Sequence, residues 1–217
     1  MCEIKTRQAL KLKRYIHSLE NFKLIEPKNC PYGNHIGAVL TDTILQSGLN
    51  YNTVVRPRVE SIICNYPTSD TLSDFNHILK STGYDVVLKW KHQEKITRLN
   101  SLITTLIKNN INTIKELILF LEINENVNLI KRIKGIGNKT CDYLMKLLGF
   151  DIIPVDRHIK SFLENADIRY VDYNDIKLIV SYTADFMSVS RRCLDYSIWC
   201  YMSSLRQKIT QPAGAPY

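Results

Sequence analysis

A lysine lies two residues after a G-x-G turn in the stretch I-K-G-I-G-N-K-T at residues 133–140. Two glycines flank one apolar residue between segments with helical periodicity, which predicts a short turn that joins two helices and needs backbone freedom at both glycines. The first N–H groups of the second helix have no intrahelical partner and lie at the positive end of the helix dipole, so they favour a phosphate. The residues expected to hold a nucleic-acid backbone are Lys134, Gly135, Ile136, Gly137 and Asn138. The same pattern also occurs as a plain helix-ending turn.

Lys139 and Asp156 are the candidate catalytic pair. The dipole and the nearby cation of Lys134 are expected to lower the pKa of the Lys139 amine, and a neutral amine is a nucleophile that can form a Schiff base. Gly149 is expected to close the second helix, and Pro154 to stiffen the return that brings Asp156 into the same region. Asp156 then offers a carboxylate for electrostatic or general-base work. The alternatives are a phosphate contact for Lys139 and a helix N-cap for Asp156.

These residues resemble the DNA glycosylases of the helix-hairpin-helix, Gly/Pro-rich loop and aspartate superfamily, which includes endonuclease III and the 8-oxoguanine glycosylases. G-I-G-N-K-T looks like the family hairpin G-x-G-x-K, and P-V-D-R-H looks like its P-V-D-x-H element. The resemblance implies that Lys139 is the catalytic lysine and Asp156 the catalytic aspartate. Members that only remove a base carry another residue at the lysine position, so it also implies a bifunctional glycosylase and AP lyase. The alternatives are an enzyme for oxidised or modified pyrimidines and a non-catalytic DNA-binding module.

Composition and charge favour a polyanionic partner. The 217 residues carry a formal net charge of +8, with a pI near 9.1, and phosphate neutralisation by Lys and Arg is the sequence-independent part of nucleic-acid affinity. We expect the partner to be double-stranded DNA containing a damaged base. No run of about 18 apolar residues and no secretory signal occurs. We therefore expect a monomer without a membrane partner, cytoplasmic and nucleoid-associated in a prokaryote or nuclear in a eukaryote.

The six cysteines are scattered and form no C-x-x-C pair, which indicates reduced thiols and argues against a zinc site. Members of the family that resemble endonuclease III hold an iron-sulfur cluster with four cysteines near the C-terminus. Here only Cys193 and Cys200 lie in that region. We expect no iron-sulfur cluster, no other cofactor and no metal.

Helical periodicity recurs along the chain and strand-like alternation is almost absent, which predicts an all-α fold. The resemblance implies two interleaved helical domains with the active cleft between them. The expected limits are 36–140 for a helical barrel that ends in the helix-hairpin-helix, and 1–35 plus 141–206 for the second domain. A mobile tail is expected at 207–217.

A base pocket, or a wedge that fills the gap left by an extruded nucleotide, is expected on two segments. The turn after the first buried helix offers polar side chains, although Asn50 or Asn52 equally suits ordinary capping. The run L-D-Y-S-I-W resembles the C-terminal helix of archaeal-type 8-oxoguanine glycosylases, which borders the base pocket. The alternative there is a core tryptophan and a solvent-facing aspartate. The candidates are Gln46, Asn50, Tyr51, Tyr143, Asp195 and Trp199.

Overall fold

The computed structural model describes residues 2–28 and 30–210, and every regular element within them is helical. The prediction of an all-α chain is confirmed for this part of the molecule. None of the helices in these two ranges combines the length and apolar character needed to cross a membrane. In chain order the helices are α1 (Cys2–Ser18), α2 (Ile36–Leu45), α3 (Arg56–Asn65), α4 (Leu72–Thr82), α5 (Tyr84–Val87), α6 (Gln93–Lys108), α7 (Ile114–Leu121), α8 (Asn124–Lys131), α9 (Asn138–Leu147), α10 (Arg157–Asn165), α11 (Tyr173–Met187) and α12 (Arg191–Thr210).

The chain divides into two compact units. The central unit is Asn29–Phe150, and the terminal unit combines Met1–Lys28 with Asp151–Tyr217. These limits differ from the expected ones of 36–140 and 1–35 plus 141–206. The difference arises at α9, because this helix packs along its length against α2 and α8 and so remains within the central unit.

Helix α2 is the centre of the central unit. Its sequence I-G-A-V-L-T-D-T-I-L is apolar on nearly every side, and all ten residues are buried. It packs against α3, α4, α6 and α9. Gly37 permits the close approach of α4, because a Cβ there would fall 2.6 Å from the Phe75 ring. The C-terminal end of α2 forms the base of the site described below.

Helices α8 and α9 are joined by the glycine turn. Val127 and Ile130 of α8 and Leu144 and Leu147 of α9 are buried in the core of the central unit. Ile136 is 2% exposed and anchors the turn in the same core. The residues on either side of it are exposed, so the turn presents backbone to solvent.

The terminal unit is built from α1, α10, α11 and α12, with α1 against α11 and α10 against α12. Phe162 lies at its core, and the rings of Tyr15, Phe22 and Tyr201 surround it. Helix α1 ends at Ser18, and the Phe22 ring in the following segment contacts both Phe162 and Tyr201.

The last helix extends beyond its expected end. Residues 207–210, which were assigned to a mobile tail, belong to α12, and the rest of that tail, 211–217, lies outside the described residues.

Candidate active site

Lys139 occupies the first turn of α9 and is half-buried. Its Nζ donates a hydrogen bond to Oε1 of Gln46, the residue that caps the C-terminus of α2. The same Nζ lies 5.5 Å from the centroid of the Tyr143 ring, within the range of a cation–π interaction. The structure thus brings Lys139, the candidate nucleophile, together with Gln46 and Tyr143, two candidates for the base pocket or wedge.

A buried carboxyl group, which was not predicted from the sequence, is linked to this lysine through Tyr143. Asp42, on α2, is fully buried and accepts hydrogen bonds from the Tyr32 hydroxyl at 2.6 Å and the Tyr143 hydroxyl at 3.2 Å. The Tyr51 hydroxyl lies 3.2 Å from that of Tyr32 and extends the network. The signal that could have found Asp42 is its place as the one charged residue in an otherwise apolar helix.

Burial sets the protonation of this Asp42 cluster, which comprises Asp42, Tyr32, Tyr51 and Tyr143. Desolvation raises the pKa of Asp42 to about 6, although both phenol hydrogen bonds and the positive charge of Lys139 oppose that rise. Burial also raises the pKa of each of the three phenols. The phenols therefore act as donors at neutral pH, and the ionised carboxylate places negative charge within Coulombic reach of the Lys139 amine.

A second lysine reaches the same end of α2. Nζ of Lys95, in the first turn of α6, donates to the carbonyls of Ile44 at 3.0 Å, Leu45 at 3.2 Å and Ser47 at 2.7 Å. The pKa of Lys95 is lowered to about 8, chiefly by burial and to a smaller extent by the charges of Arg98 and Lys139. From the sequence Lys95 resembles any polar residue on an amphipathic helix, so no local signal could have identified it.

The two glycines of the turn have different structural roles. Gly135 has φ of +87°, and a Cβ there would fall 2.2 Å from the Arg98 guanidinium, so glycine is required. Gly137 has φ of −95°, and a Cβ there would meet no other atom within 4 Å. The expectation that both glycines need special backbone freedom is therefore wrong for Gly137.

The residues expected to hold a nucleic-acid backbone differ in their exposure to solvent. Lys134 and Asn138 are exposed, as are both glycines. Ile136 is buried, and its N–H donates to the carbonyl of Ile133 at 2.9 Å. Ile136 therefore anchors the turn from below, while its neighbours form the surface.

Asn50 takes the capping role that the sequence left open. Its Oδ1 accepts a hydrogen bond from the N–H of Thr53 at 3.1 Å, at the start of a π-helical turn over Tyr51–Val55. Asn50 is exposed and caps the start of that turn, whereas Tyr51 reaches into the Asp42 cluster.

In the terminal unit, Asp156 is the N-cap of α10. Its Oδ1 accepts hydrogen bonds from the N–H groups of His158 at 2.8 Å and Ile159 at 3.0 Å. The prediction that Asp156 stands at a cap position is confirmed. This contact alone accounts for an aspartate at position 156.

The proposed pocket residues of α12 lie beside the start of α10. The Trp199 ring is half-buried, stacks on Tyr196 with centroids 6.0 Å apart, and meets His158 edge-on at 6.3 Å. Asp195 is 5% exposed, so the alternative of a solvent-facing aspartate is wrong. A buried carboxyl and a partly open indole on one helix are compatible with a pocket, although they do not identify its ligand.

Comparison of the sequence with known protein families gives a match. A family model described as a domain of unknown function (DUF8548) matches residues 31–203. The chain belongs to this family. The DUF8548 match takes in Lys139, Asp156 and the glycine turn, while its description names no activity. No curated protein and no solved structure matches the chain.

Proposed function

We propose that this chain is a bifunctional DNA glycosylase and AP lyase that removes a damaged base, with 8-oxoguanine as the first candidate, and then nicks the strand. The observation that carries the proposal is the setting of Lys139. Lys139 is the second residue after the exposed glycine turn, and its amine donates a hydrogen bond to the Gln46 side chain. The amine also contacts the Tyr143 ring, which belongs to the buried Asp42 cluster. A lysine that only contacts phosphate needs none of these groups.

The turn supports the DNA-binding part of the proposal. In this view α8, the turn and α9 form a helix-hairpin-helix, and a phosphate lies against the first N–H groups of α9. Gly137 supports this, because its backbone conformation and its open surroundings do not require glycine. Close approach of a phosphate oxygen to the backbone does require the absence of a side chain. The net charge of +8 strengthens such binding without reading sequence.

The chemistry proposed for Lys139 proceeds through a covalent intermediate. The neutral amine attacks C1′ of the damaged nucleotide, the new C–N bond forms, and the glycosidic bond breaks as its electron pair leaves with the base. Loss of a proton from the attacking nitrogen and opening of the sugar ring yield a Schiff base. Removal of a 2′ proton then expels the 3′ phosphate by β-elimination. Transient proton acceptors for these steps are available in the Asp42 cluster.

Asp156 and the Trp199 region are assigned supporting roles in the proposal. The Asp156 carboxylate would stabilise the cationic sugar as the base departs, in addition to capping α10. Trp199 would stack on the extruded base, and Asp195 would accept a purine N–H. The interleaving of two helical domains belongs to the same proposal. Because the pocket decides which base is excised, oxidised or modified pyrimidines remain the alternative substrates.

One observation favours a non-catalytic DNA-binding module. Both hydrogen bonds of Asp156 are those of an ordinary N-cap, so its position is explained without any catalytic role. Such a module would bind duplex DNA through the turn and perform no chemistry at Lys139. This second candidate makes an opposite prediction for covalent trapping.

Borohydride trapping distinguishes the two candidates. The reagent reduces a lysine Schiff base to a stable amine, so the wild-type protein should become covalently attached to duplexes carrying 8-oxoguanine or an abasic site. Lys139→Gln should abolish attachment and nicking while duplex binding stays within a few-fold, because the turn is unchanged. Lys108→Gln, at an exposed position of α6, is the control and should behave as wild type.

The result that contradicts the enzyme assignment is also clear. Duplex binding without trapping, on a panel that includes 8-oxoguanine, thymine glycol, uracil and an abasic site, would favour the DNA-binding module. Undiminished trapping by Lys139→Gln would assign the chemistry to another amine. Excision of thymine glycol but not of 8-oxoguanine would change the substrate and leave the mechanism in place.

A further inference from the structure

Lys95 and Lys139 both donate hydrogen bonds to the C-terminal end of α2 and the residues that follow it. Lys95 donates to the carbonyls of Ile44, Leu45 and Ser47, and the residue between these, Gln46, accepts the hydrogen bond of Lys139. The position of the Gln46 side chain therefore depends on a turn that Lys95 fixes from α6.

The contacts of Lys95 match those of an ammonium group. An ammonium group has three N–H donors and no acceptor, and here three carbonyl oxygens receive them. A neutral amine would have only two donors and would direct its lone pair at a carbonyl oxygen. The negative end of the α2 dipole favours the cation as well. A pKa of about 8 leaves Lys95 charged at neutral pH.

The charge of Lys95 acts on Lys139. The positive charge of Lys139 lowers the pKa of Lys95. Because a Coulombic interaction is mutual, a charged Lys95 also disfavours protonation of the Lys139 amine. The other charged groups that face this pair are Asp42 on α2, Arg98 and Glu94 on α6, and Lys146 on α9. Asp42, once ionised, favours the protonated form of Lys139, so Lys95 acts against it.

We infer that Lys95 is a positioning residue for Lys139: it fixes the turn that carries Gln46 and keeps a positive charge near the Lys139 amine, which opposes protonation of that amine. The inference deepens the proposed function and rests on Lys139 being the nucleophile. It assigns Lys95 no contact with the DNA substrate. Its effect on the reaction would be transmitted through the protonation and the placement of Lys139.

Direct titration of Lys139 tests the inference without DNA. In protein labelled with ¹³C at the lysine Cε, the Lys139 resonance is assigned by its loss in Lys139→Arg, and its chemical shift is followed against pH. Lys95→Gln removes the charge but keeps donors for the carbonyls, and it should raise the midpoint of Lys139 by about one pH unit. Lys95→Arg keeps the charge and should restore the wild-type midpoint. Lys108→Met, an exposed change on the same helix, should leave it unaltered.

The pH profile of borohydride trapping is the functional readout. Lys95→Gln should move the rising limb of the profile to higher pH by the same interval as the titration, and Lys95→Arg should return it. A purely structural role for Lys95 would lower the amount of trapped protein at every pH without moving the limb. Lys95→Met, which also removes the donors, should add such a uniform loss to the shift.

The outcomes for Lys95 and for the proposed function are separable. A Lys139 midpoint that is the same in Lys95→Gln as in wild type overturns the inference, whether or not DNA is trapped. Absence of trapping by wild type overturns the proposed function, and the titration then decides the role of Lys95 alone. If Lys95→Met fails to fold, the Gln and Arg variants still decide the charge effect.

Discussion

The two residues selected from the sequence as a catalytic pair have very different surroundings. Lys139, in the central unit, contacts the side chains of Gln46 and Tyr143 in front of a buried carboxyl. Asp156, in the terminal unit, accepts hydrogen bonds from backbone N–H groups at the start of its own helix. The contacts of Asp156 are those that any folded helix benefits from, whereas those of Lys139 are not needed to start a helix. Lys139 therefore carries the functional argument, and Asp156 requires a measurement that separates capping from catalysis.

The buried polar groups strengthen this contrast. A carboxyl group without access to water costs several kcal/mol unless it is paired, and Asp42 is paired with phenols rather than with a cation. Near Asp156, the Trp199 and His158 rings pack as parts of a partly buried surface. Groups whose pKa is strongly shifted by burial, as that of Asp42 is, are candidates for functional sites.

The largest expected effect is that of Asp156→Asn on base release. Asparagine caps a helix about as well as aspartate, so the variant should retain the wild-type melting temperature. If the carboxylate also stabilises a developing positive charge, single-turnover excision should fall by roughly two orders of magnitude or more. The measurement is the excision rate together with a melting curve.

Asp172 supplies the matched control for that experiment. It is the exposed N-cap of α11, and its side chain accepts from the N–H of Asp175 at 2.9 Å. Asp172→Asn should change neither excision nor stability. An Asp156→Asn variant that excises within a factor of two of wild type would restrict Asp156 to capping and widen the contrast with Lys139.

The next effect concerns the Asp42 cluster and depends on pH. The carboxyl has a pKa of about 6 in the folded protein, against an ordinary value of 3.8. Between these values the folded state binds the additional proton, so the contribution of Asp42 to the free energy of unfolding falls as pH rises from about 4 to about 6. Asp42→Asn removes this dependence. The stability of wild type relative to the variant should therefore decrease by about 2–3 kcal/mol across that interval.

Denaturant unfolding of both proteins at several pH values between 4 and 7 measures this difference. Asp74→Asn, at an exposed position in the first turn of α4, is a control that should show no comparable trend. A difference between wild type and Asp42→Asn that does not vary with pH would mean that the buried carboxyl titrates outside the interval. The electrostatic part of the contrast between the two regions would then be lost.

The smallest expected effects separate the two glycines of the turn. Gly135→Ala should destabilise the protein by about 1–2 kcal/mol, because alanine is strained at a positive φ and its Cβ displaces Arg98. Gly137→Ala should alter stability by no more than about 0.5 kcal/mol, since the added methyl group meets nothing. Under the proposed function it should still weaken duplex binding several-fold. Melting curves and duplex titrations at one salt concentration check both variants.

The glycine pair also gives a clear contrary result. Unchanged duplex affinity in Gly137→Ala would mean that no phosphate approaches this part of the turn. Glycine at position 137 would then be explained by its N-cap position in α9 alone, and the helix-hairpin-helix interpretation would weaken. Equal stability of Gly135→Ala and wild type would show that the Arg98 side chain moves aside at little cost.

Local sequence patterns were sufficient for the helical class and for several helix ends, but not for the end of α12. Apolar periodicity is visible in the sequence of α2, and Pro57 lies in the first turn of α3, where its missing N–H costs no intrahelical hydrogen bond. Gly149 was expected to close α9, and its φ of +96° fits that role. These features depend on residues within one or two turns of each other, so they can be read without knowing the rest of the fold.

The sequence by itself determined the helical class, the glycine turn and the selection of Lys139, because each is written in neighbouring residues. Only the tertiary structure decided what surrounds that lysine. Gln46, Asp42 and Lys95 lie 93, 97 and 44 positions before it in the chain, and packing of α2 between α6 and α9 brings them together. Local propensity contains no information about such long-range pairings, since they follow from which apolar faces share one core.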